Sequence, residues 1–113
     1  MIDHNIHQTP TLNEITQLHA EICSALGDPR RISLLYSIES QPKNVSDLAE
    51  EIGISQPAAS RHLKILKNCG LVEANRQGAC VEYTIIDQRL IQVLNLLRSM
   101  LNDRLISRAK LVK

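Results

Sequence analysis

The sequence predicts a mostly α-helical domain with one small β-hairpin, and three observations lead to this fold class. Apolar residues recur at helical spacing over most of the chain, two short helical segments are separated by a very short link, and two β-prone segments follow around a glycine. The 113 residues are 43% hydrophobic and 22% charged, which is typical of a globular domain. We expect residues 1–10 to form a flexible N-terminal arm and residues 11–113 to form a single domain.

The first two helices are predicted by their capping residues. Thr11 and Glu14 have the spacing of a capping box, so a helix is expected over about residues 12–26. Asp28 is suited to cap the next helix, because the proline that follows it fits the first helical position, where no N–H is needed. This second helix is expected over about residues 29–40.

The next two helices form the most informative part of the sequence. Asn44 is placed to cap the third helix and Gly53 to end it, while Ser55 caps the fourth helix after a link of two residues. Two short helices joined in this way, over about residues 44–68, are typical of a helix-turn-helix. The second helix of that motif lies in the major groove of DNA.

A hairpin and a long helix complete the predicted domain. Two β-prone segments around Gly78 predict a hairpin, or wing, over about residues 71–86, so the motif is a winged helix-turn-helix. The last helix, over about residues 88–109, is apolar on more than one face. Because such a helix usually buries its second face against a partner, we expect a homodimer joined through the first and last helices.

Charge is balanced over the chain but uneven along it. The net charge is +1, whereas residues 55–80 hold four basic residues and one acidic residue. Serine, glutamine and arginine side chains can hydrogen-bond to base edges, and basic side chains neutralise phosphates. The candidate contacts to double-stranded operator DNA are Ser55, Gln56, Ser60, Arg61, Lys64 and, on the wing, Arg76.

Three segments carry recognisable motifs in order: ALGDPRRI at residues 25–32, SQPAASRHLK at residues 55–64, and GLV followed by GACVEY within residues 70–83. Together they resemble the ArsR/SmtB family of bacterial repressors, over about residues 20–90. The resemblance implies a homodimeric repressor that binds a near-palindromic operator and releases it when an inducer binds. The family often has a basic residue after the wing glycine. Here Ala79 stands there, and Arg76 is the expected substitute.

Three effector sites familiar from this family are expected to be absent. The resemblance places the cysteine pair of one site on residues 43–46, which contain no cysteine. It places one thiol of a second site on Tyr36, and the last helix offers no cysteine to pair with it. A third site uses carboxylates with histidines, and both histidines are missing from its matching positions, which are Asp87, Arg89, Met100 and Asp103.

The remaining candidate ligands include a histidine and a cysteine on the first helix. His19 and Cys23 are four residues apart, which is a legitimate two-ligand spacing, and His4 and His7 of the arm could complete a metal site. The alternative is that Cys23 is a small buried hydrophobic residue at the dimer interface. Three alternatives for the inducer therefore remain open: a soft metal ion or metalloid, an oxidant, or no inducer at all.

Two further thiols flank the wing. Cys69 ends the fourth helix and Cys80 begins the second wing strand, so they could approach each other and sense oxidants or soft ions such as arsenite. The alternative is that both thiols are packed or exposed without a role. His62 is expected to contact phosphate or to act as polar filler.

Several classes of function are disfavoured. We find no glycine-rich phosphate loop, nucleophile motif or paired-acid pattern, so an enzyme is not expected. Only 2% of the residues are aromatic, which argues against base stacking on single strands. The absence of a signal peptide pattern and of a long apolar run predicts a cytoplasmic protein without membrane contact. A winged-helix protein-interaction module without DNA affinity and an effector-independent repressor remain alternatives.

Overall fold

The computed structural model describes residues 8–112. His4, His7 and most of the predicted arm lie outside the described residues. The elements are α1 (Leu12–Glu21), a 3-10 turn (Cys23–Gly27), α2 (Pro29–Ser40), β1 (Lys43–Asn44), α3 (Val45–Ile52), α4 (Gln56–Asn68), β2 (Val72–Gln77), β3 (Cys80–Ile85) and α5 (Arg89–Val112). This is the predicted order, with one additional strand and a longer last helix.

The first helix is shorter than its apolar spacing predicts. It ends at Glu21, because Ile22 leaves the helical backbone with φ −122° and ψ −57°, and a 3-10 turn follows. The Arg31 side chain binds the carbonyl oxygens of this turn, with Nε donating to Ala25 O at 2.6 Å and Nη2 to Ser24 O at 3.4 Å. These carbonyl groups therefore accept from the Arg31 side chain and not from the backbone N–H groups of a continuing helix.

The predicted helix caps are confirmed. The side chain of Asp28 accepts from the backbone N–H of Arg30 at 2.9 Å, Asn44 accepts from Asp47 at 2.8 Å, and Ser55 accepts from Ala58 at 3.2 Å. Each of these bonds satisfies one of the N–H groups that a helix leaves free at its start. The end of α3 is also as predicted, because Gly53 has the left-handed φ of 76° that glycine accommodates without strain.

The wing is part of a three-stranded antiparallel sheet with the order β1-β3-β2. Its hairpin strands lie within the predicted range of residues 71–86, and Gly78 adopts φ 64° in the connecting turn. The third strand, β1, was not predicted. It has two residues, and its pairing of Lys43 with Tyr83 joins segments forty positions apart. Neither a two-residue strand nor so distant a partner leaves a periodic signal in the sequence.

The core lies where α2, α3, α4 and β2 meet, and its largest fully buried side chains are Leu34, Leu35, Leu48, Leu63, Leu66 and Val72. Ile91 and Leu94 attach the first turns of α5 to this core. Beyond those turns α5 exposes apolar residues, and α1 has no buried residue. Within residues 8–112, no helix has the length and low polarity needed to cross a membrane.

Exposed large hydrophobic side chains are concentrated on two helices. On α1 and α5 they are Leu12, Ile15, Leu18, Val93, Leu96, Leu97, Met100, Leu101, Leu105, Ile106 and Leu111. An apolar surface of this extent on two neighbouring elements is typical of a protein–protein interface. We refer to these residues below as the apolar face of α1 and α5.

Replacing Leu63 by Ala should destabilise the domain by about 2–5 kcal/mol, since the change leaves a cavity in a fully buried site. The measurement is urea unfolding at one fixed protein concentration. Ile65→Ala on the same helix is the matched control, because Ile65 is 40% exposed and its loss should cost less than about 1 kcal/mol. Equal losses for the two variants would contradict the buried position of Leu63.

Candidate nucleic-acid interface

Helix α4 has one face in the core and one face in solvent. Its buried residues are Ala58, Ala59, His62, Leu63 and Leu66. The predicted DNA contacts on this segment, Ser55, Gln56, Ser60, Arg61 and Lys64, are all exposed. The core therefore holds the helix so that the polar and basic side chains on its other face are available to a ligand.

The start of α4 is suited to bind phosphate. Ser55 Oγ accepts a hydrogen bond from Ala58 N, which leaves the hydroxyl proton available for donation. Of the first two residues of α4, Pro57 has no backbone N–H and Gln56 has one. The N–H of Gln56 is therefore available to donate to a phosphate oxygen. The positive end of the helix dipole lies at the same position and favours an anion.

One further basic residue on this face was counted in the charge of residues 55–80 but was not predicted to contact DNA. Lys67 is exposed and follows Gln56, Ser60 and Lys64 at intervals of four, four and three residues, which keeps all four on one side of α4. The signal was present in the spacing. It was overlooked because Lys67 lies at the end of the helix, away from the residues of the recognised motif.

The wing presents Arg76 near its tip. Arg76 is exposed and pairs with Val81, two positions before Gly78. The hairpin is held by the β2·β3 ladder and by a side-chain hydrogen bond from Asn75 Nδ2 to Thr84 Oγ1 at 3.1 Å. Arg76 is therefore the basic side chain that this hairpin carries to its outer end.

His62 is not a phosphate contact, because its side chain is 7% exposed and faces the domain. Arg31 Nη1 lies 3.2 Å from His62 Nδ1, and an arginine can act only as donor, so Nδ1 accepts. Burial lowers the pKa of His62, the cations of Arg30, Arg31 and Arg61 lower it further, and the Asp28 carboxylate opposes them. The alternative interpretation as polar filler is confirmed, with Arg31 as the partner.

The predicted approach of Cys69 and Cys80 is wrong. Cys69 lies just before β2, whose first residue Val72 pairs with Ile85, whereas Cys80 pairs with Gln77 at the opposite end of the hairpin. Five residues of strand, or roughly 17 Å, separate the two ends. The hairpin does return toward α4, but its returning end carries Ile85 and not the cysteine.

Residues 8–112 contain no group of three or more histidine, cysteine, aspartate and glutamate side chains that could hold a metal ion. His19 and Cys23 are both exposed, and α1 ends between them, so regular helical spacing no longer relates them. Cys23 is thus exposed in the single chain, and its burial at a dimer interface stays a prediction. The expected ligands His4 and His7 lie outside the described residues.

A family model for bacterial regulatory proteins of the arsR family matches residues 28–74. The chain is 37% identical over 83 residues to the HTH-type transcriptional regulator NmtR of Mycobacterium tuberculosis, which is 71% of this chain and 69% of that protein. The chain belongs to the ArsR/SmtB family. A probable mercury resistance operon repressor of Streptomyces lividans is 37% identical over 84 residues, covering 74% of this chain and 67% of the repressor.

Solved structures agree with this ArsR/SmtB membership. The homodimeric winged helix-turn-helix DNA-binding domain of a Mycobacterium bovis protein superposes with a TM-score of 0.74 at 26% identity, covering 88% of this chain and 93% of that chain. NolR from Sinorhizobium fredii superposes with a TM-score of 0.71 at 28% identity, covering 81% and 92%. This ArsR/SmtB chain is a winged helix-turn-helix transcriptional regulator, and its family and relatives are regulators, not enzymes.

The lowered pKa of His62 predicts a pH-dependent stability with a defined sign. As the pH falls through the ordinary value of 6.5, the unfolded chain binds a proton before the folded protein does. The stabilisation is therefore complete above that pH and decreases below it. The measurement is the urea midpoint at about pH 7.5 and at about pH 5.5. The decrease from the higher to the lower pH should be larger for the wild type than for His62→Asn, because the asparagine amide oxygen keeps the Arg31 contact and does not titrate.

The control is His19→Asn, which alters an exposed histidine on α1. This variant should keep the pH dependence of the wild type. If His62→Asn also kept it, the contribution of His62 to the pH dependence would be refuted.

Proposed function

We propose that this chain is a cytoplasmic, homodimeric repressor that binds a near-palindromic operator in double-stranded DNA and releases it when an inducer binds. The observation that carries the proposal is the division of α4 into a buried, mainly apolar face and an exposed face that carries polar and basic residues. A helix held in this way can enter the major groove without disturbing the core.

Each exposed side chain on α4 has a role suited to its chemistry. Ser55 and the start of the helix bind a phosphate, which sets the position of the helix along the groove. Gln56, Ser60 and Arg61 hydrogen-bond to base edges, because amide, hydroxyl and guanidinium groups match the donors and acceptors of the major groove. Lys64, together with Lys67, neutralises phosphates and adds affinity without sequence information.

The dimer accounts for the apolar face of α1 and α5. Packing two copies through this face buries side chains that are otherwise half or more exposed, such as Leu12 and Leu96 at 80% and 68%. Two copies related by a twofold axis present two α4 helices to successive major grooves, about 34 Å apart. Arg76 then reaches the sugar–phosphate backbone or the minor groove beside each half-site. The homodimeric relative from Mycobacterium bovis supports this arrangement.

Arg61→Ala should weaken operator binding by about 1–3 kcal/mol and relax the base preference at one position in each half-site. The measurement is fluorescence anisotropy on the operator and on a set of single-base variants, at several salt concentrations. Arg108→Ala removes the same charge from the exposed end of α5 and is the matched control, so its affinity should stay at the wild-type value.

Two outcomes would change this assignment. A loss that is uniform across all sequences would move Arg61 from base contact to phosphate contact. If the wild type shows no binding at low salt, and no decrease in affinity as salt rises, the repressor proposal fails, because phosphate contacts must release counterions. That result would favour the winged-helix module that binds a protein partner.

Leu97→Ser should weaken dimerisation and lower operator affinity with it, because Leu97 is a 52% exposed apolar residue in the middle of α5. Sedimentation equilibrium measures the first effect and anisotropy the second. Gln92→Ser, at an exposed polar position on the same helix, is the control and should leave both unchanged. A Leu97→Ser protein that dimerises as the wild type does would remove Leu97 from the interface.

A further inference from the structure

The Arg31 side chain connects the turn that follows α1 with α4. Its Nε and Nη2 atoms donate to the carbonyl oxygens of Ala25 and Ser24 in the 3-10 turn, and its Nη1 atom donates to His62 Nδ1 on α4. The acceptors lie six, seven and 31 positions from Arg31 in the chain. One guanidinium group therefore holds the segment after α1 against the helix that carries the candidate DNA contacts.

The two helices with the apolar face are attached to the domain in different ways. Ile91 and Leu94 bury the first turns of α5 in the core, whereas α1 contains no buried residue. The 3-10 turn attaches α1 to the domain, because Ala25 is buried in the core and Arg31 binds its carbonyl oxygen. The apolar face of α1 is therefore connected to α4 through this turn and Arg31.

Apolar packing and hydrogen bonds constrain α4 differently. Burial of Leu63 and Leu66 holds the helix on the core, but the hydrophobic effect has no preferred direction. A hydrogen bond requires a nearly linear arrangement of donor and acceptor, and a planar guanidinium fixes the directions of its donors. The contact between Arg31 and His62 therefore restrains rotation and sliding of α4, and Arg61 is the adjacent residue of that helix.

We propose that Arg31 is a positioning residue for operator recognition, which sets the spacing between half-sites that the homodimer accepts. In a dimer that pairs through α1 and α5, the placement of α4 relative to α1 decides the distance and angle between the two α4 helices. One inserted base pair moves a half-site by about 3.4 Å along the duplex and turns it by about 35°. A rigid dimer then loses contacts in one groove. The proposal rests on the function proposed above.

The test compares operators that differ only in half-site spacing. The probe is a near-palindromic duplex that the wild type selects from random-sequence DNA, together with versions that have one base pair more or fewer between the half-sites. Fluorescence anisotropy gives the ratio of affinities for the selected and the altered spacing. We expect a ratio of about thirtyfold for the wild type and about threefold for Arg31→Lys, which keeps the charge but not the planar fork of donors.

This ratio separates positioning from stability. A variant that only lowers the fraction of folded protein lowers the affinity for every spacing by the same factor, so its ratio stays at the wild-type value. Arg30→Lys is the matched control, because in residues 8–112 the Arg30 side chain hydrogen-bonds to Asp28 at the start of the same helix and not to α4. The control should keep the wild-type ratio.

Two changes at His62 test the same contact from α4, so the test does not depend on the folding of Arg31→Lys. His62→Leu offers no acceptor, and its ratio should fall as in Arg31→Lys. His62→Asn places an amide oxygen near the position of Nδ1 and should keep the wild-type ratio. In the double variant that combines Arg31→Lys and His62→Leu, the ratio should fall no further than in either single variant, because both remove one interaction.

Three results would overturn the proposal. Wild-type ratios in both Arg31→Lys and His62→Leu would assign half-site spacing to α5 and its contact with the core. A fall in Arg30→Lys equal to that in Arg31→Lys would show that the effect does not come from the contact with α4. If the wild type selects no duplex even at low salt, the repressor function fails and this proposal fails with it. That case is distinct, because the wild type itself then lacks binding.

Discussion

The side chain of Arg31 is the interaction on which the rest of the structure depends. One guanidinium group at the start of α2 binds the carbonyl oxygens of Ala25 and Ser24 and the ring nitrogen of His62. The first two bonds hold the 3-10 turn that follows α1, and the third joins that turn to α4. A single cation that donates to several acceptors thus sets three elements against one another. Such an arrangement requires a planar side chain with donors in fixed directions, which lysine does not provide.

The same cluster shows how polar groups are accommodated at the edge of an aliphatic core. His62 stays an acceptor because burial and the neighbouring cations lower its pKa. Asp28 caps α2 and also binds the Arg30 side chain, whose hydrogen bonds lower the pKa of the Asp28 carboxyl to about 2. In the described part of the chain, no buried side-chain nitrogen or oxygen lacks a hydrogen-bond partner. The polar network therefore adds orientation to α4 without the cost of an unpaired buried group.

The molecule divides into a core that is complete within one chain and a surface that is not. The buried leucines of α2, α3 and α4 pack around one another, and the first turns of α5 cover them. The single chain leaves exposed most of the apolar side chains of α5 and those of Leu12, Ile15 and Leu18 on α1. This division suits a homodimeric ArsR/SmtB regulator, because α4 packs against the core within each copy while α1 and α5 keep an apolar face available for pairing.

The sequence by itself determined the helix-turn-helix, the caps at Asp28, Asn44 and Ser55, and the exposed face of α4. These features depend on spacing within a few residues, where the backbone rules of helices apply directly. Tertiary structure alone decided the early end of α1, the strand β1, the buried partner of His62 and the separation of Cys69 from Cys80. The strand β1 and the partner of His62 depend on contacts between residues 40 and 31 positions apart, which leave no periodic pattern in the sequence. The end of α1 and the separation of the two cysteines depend on which groups bond to one another, since Arg31 binds Ala25 and Cys80 pairs with Gln77.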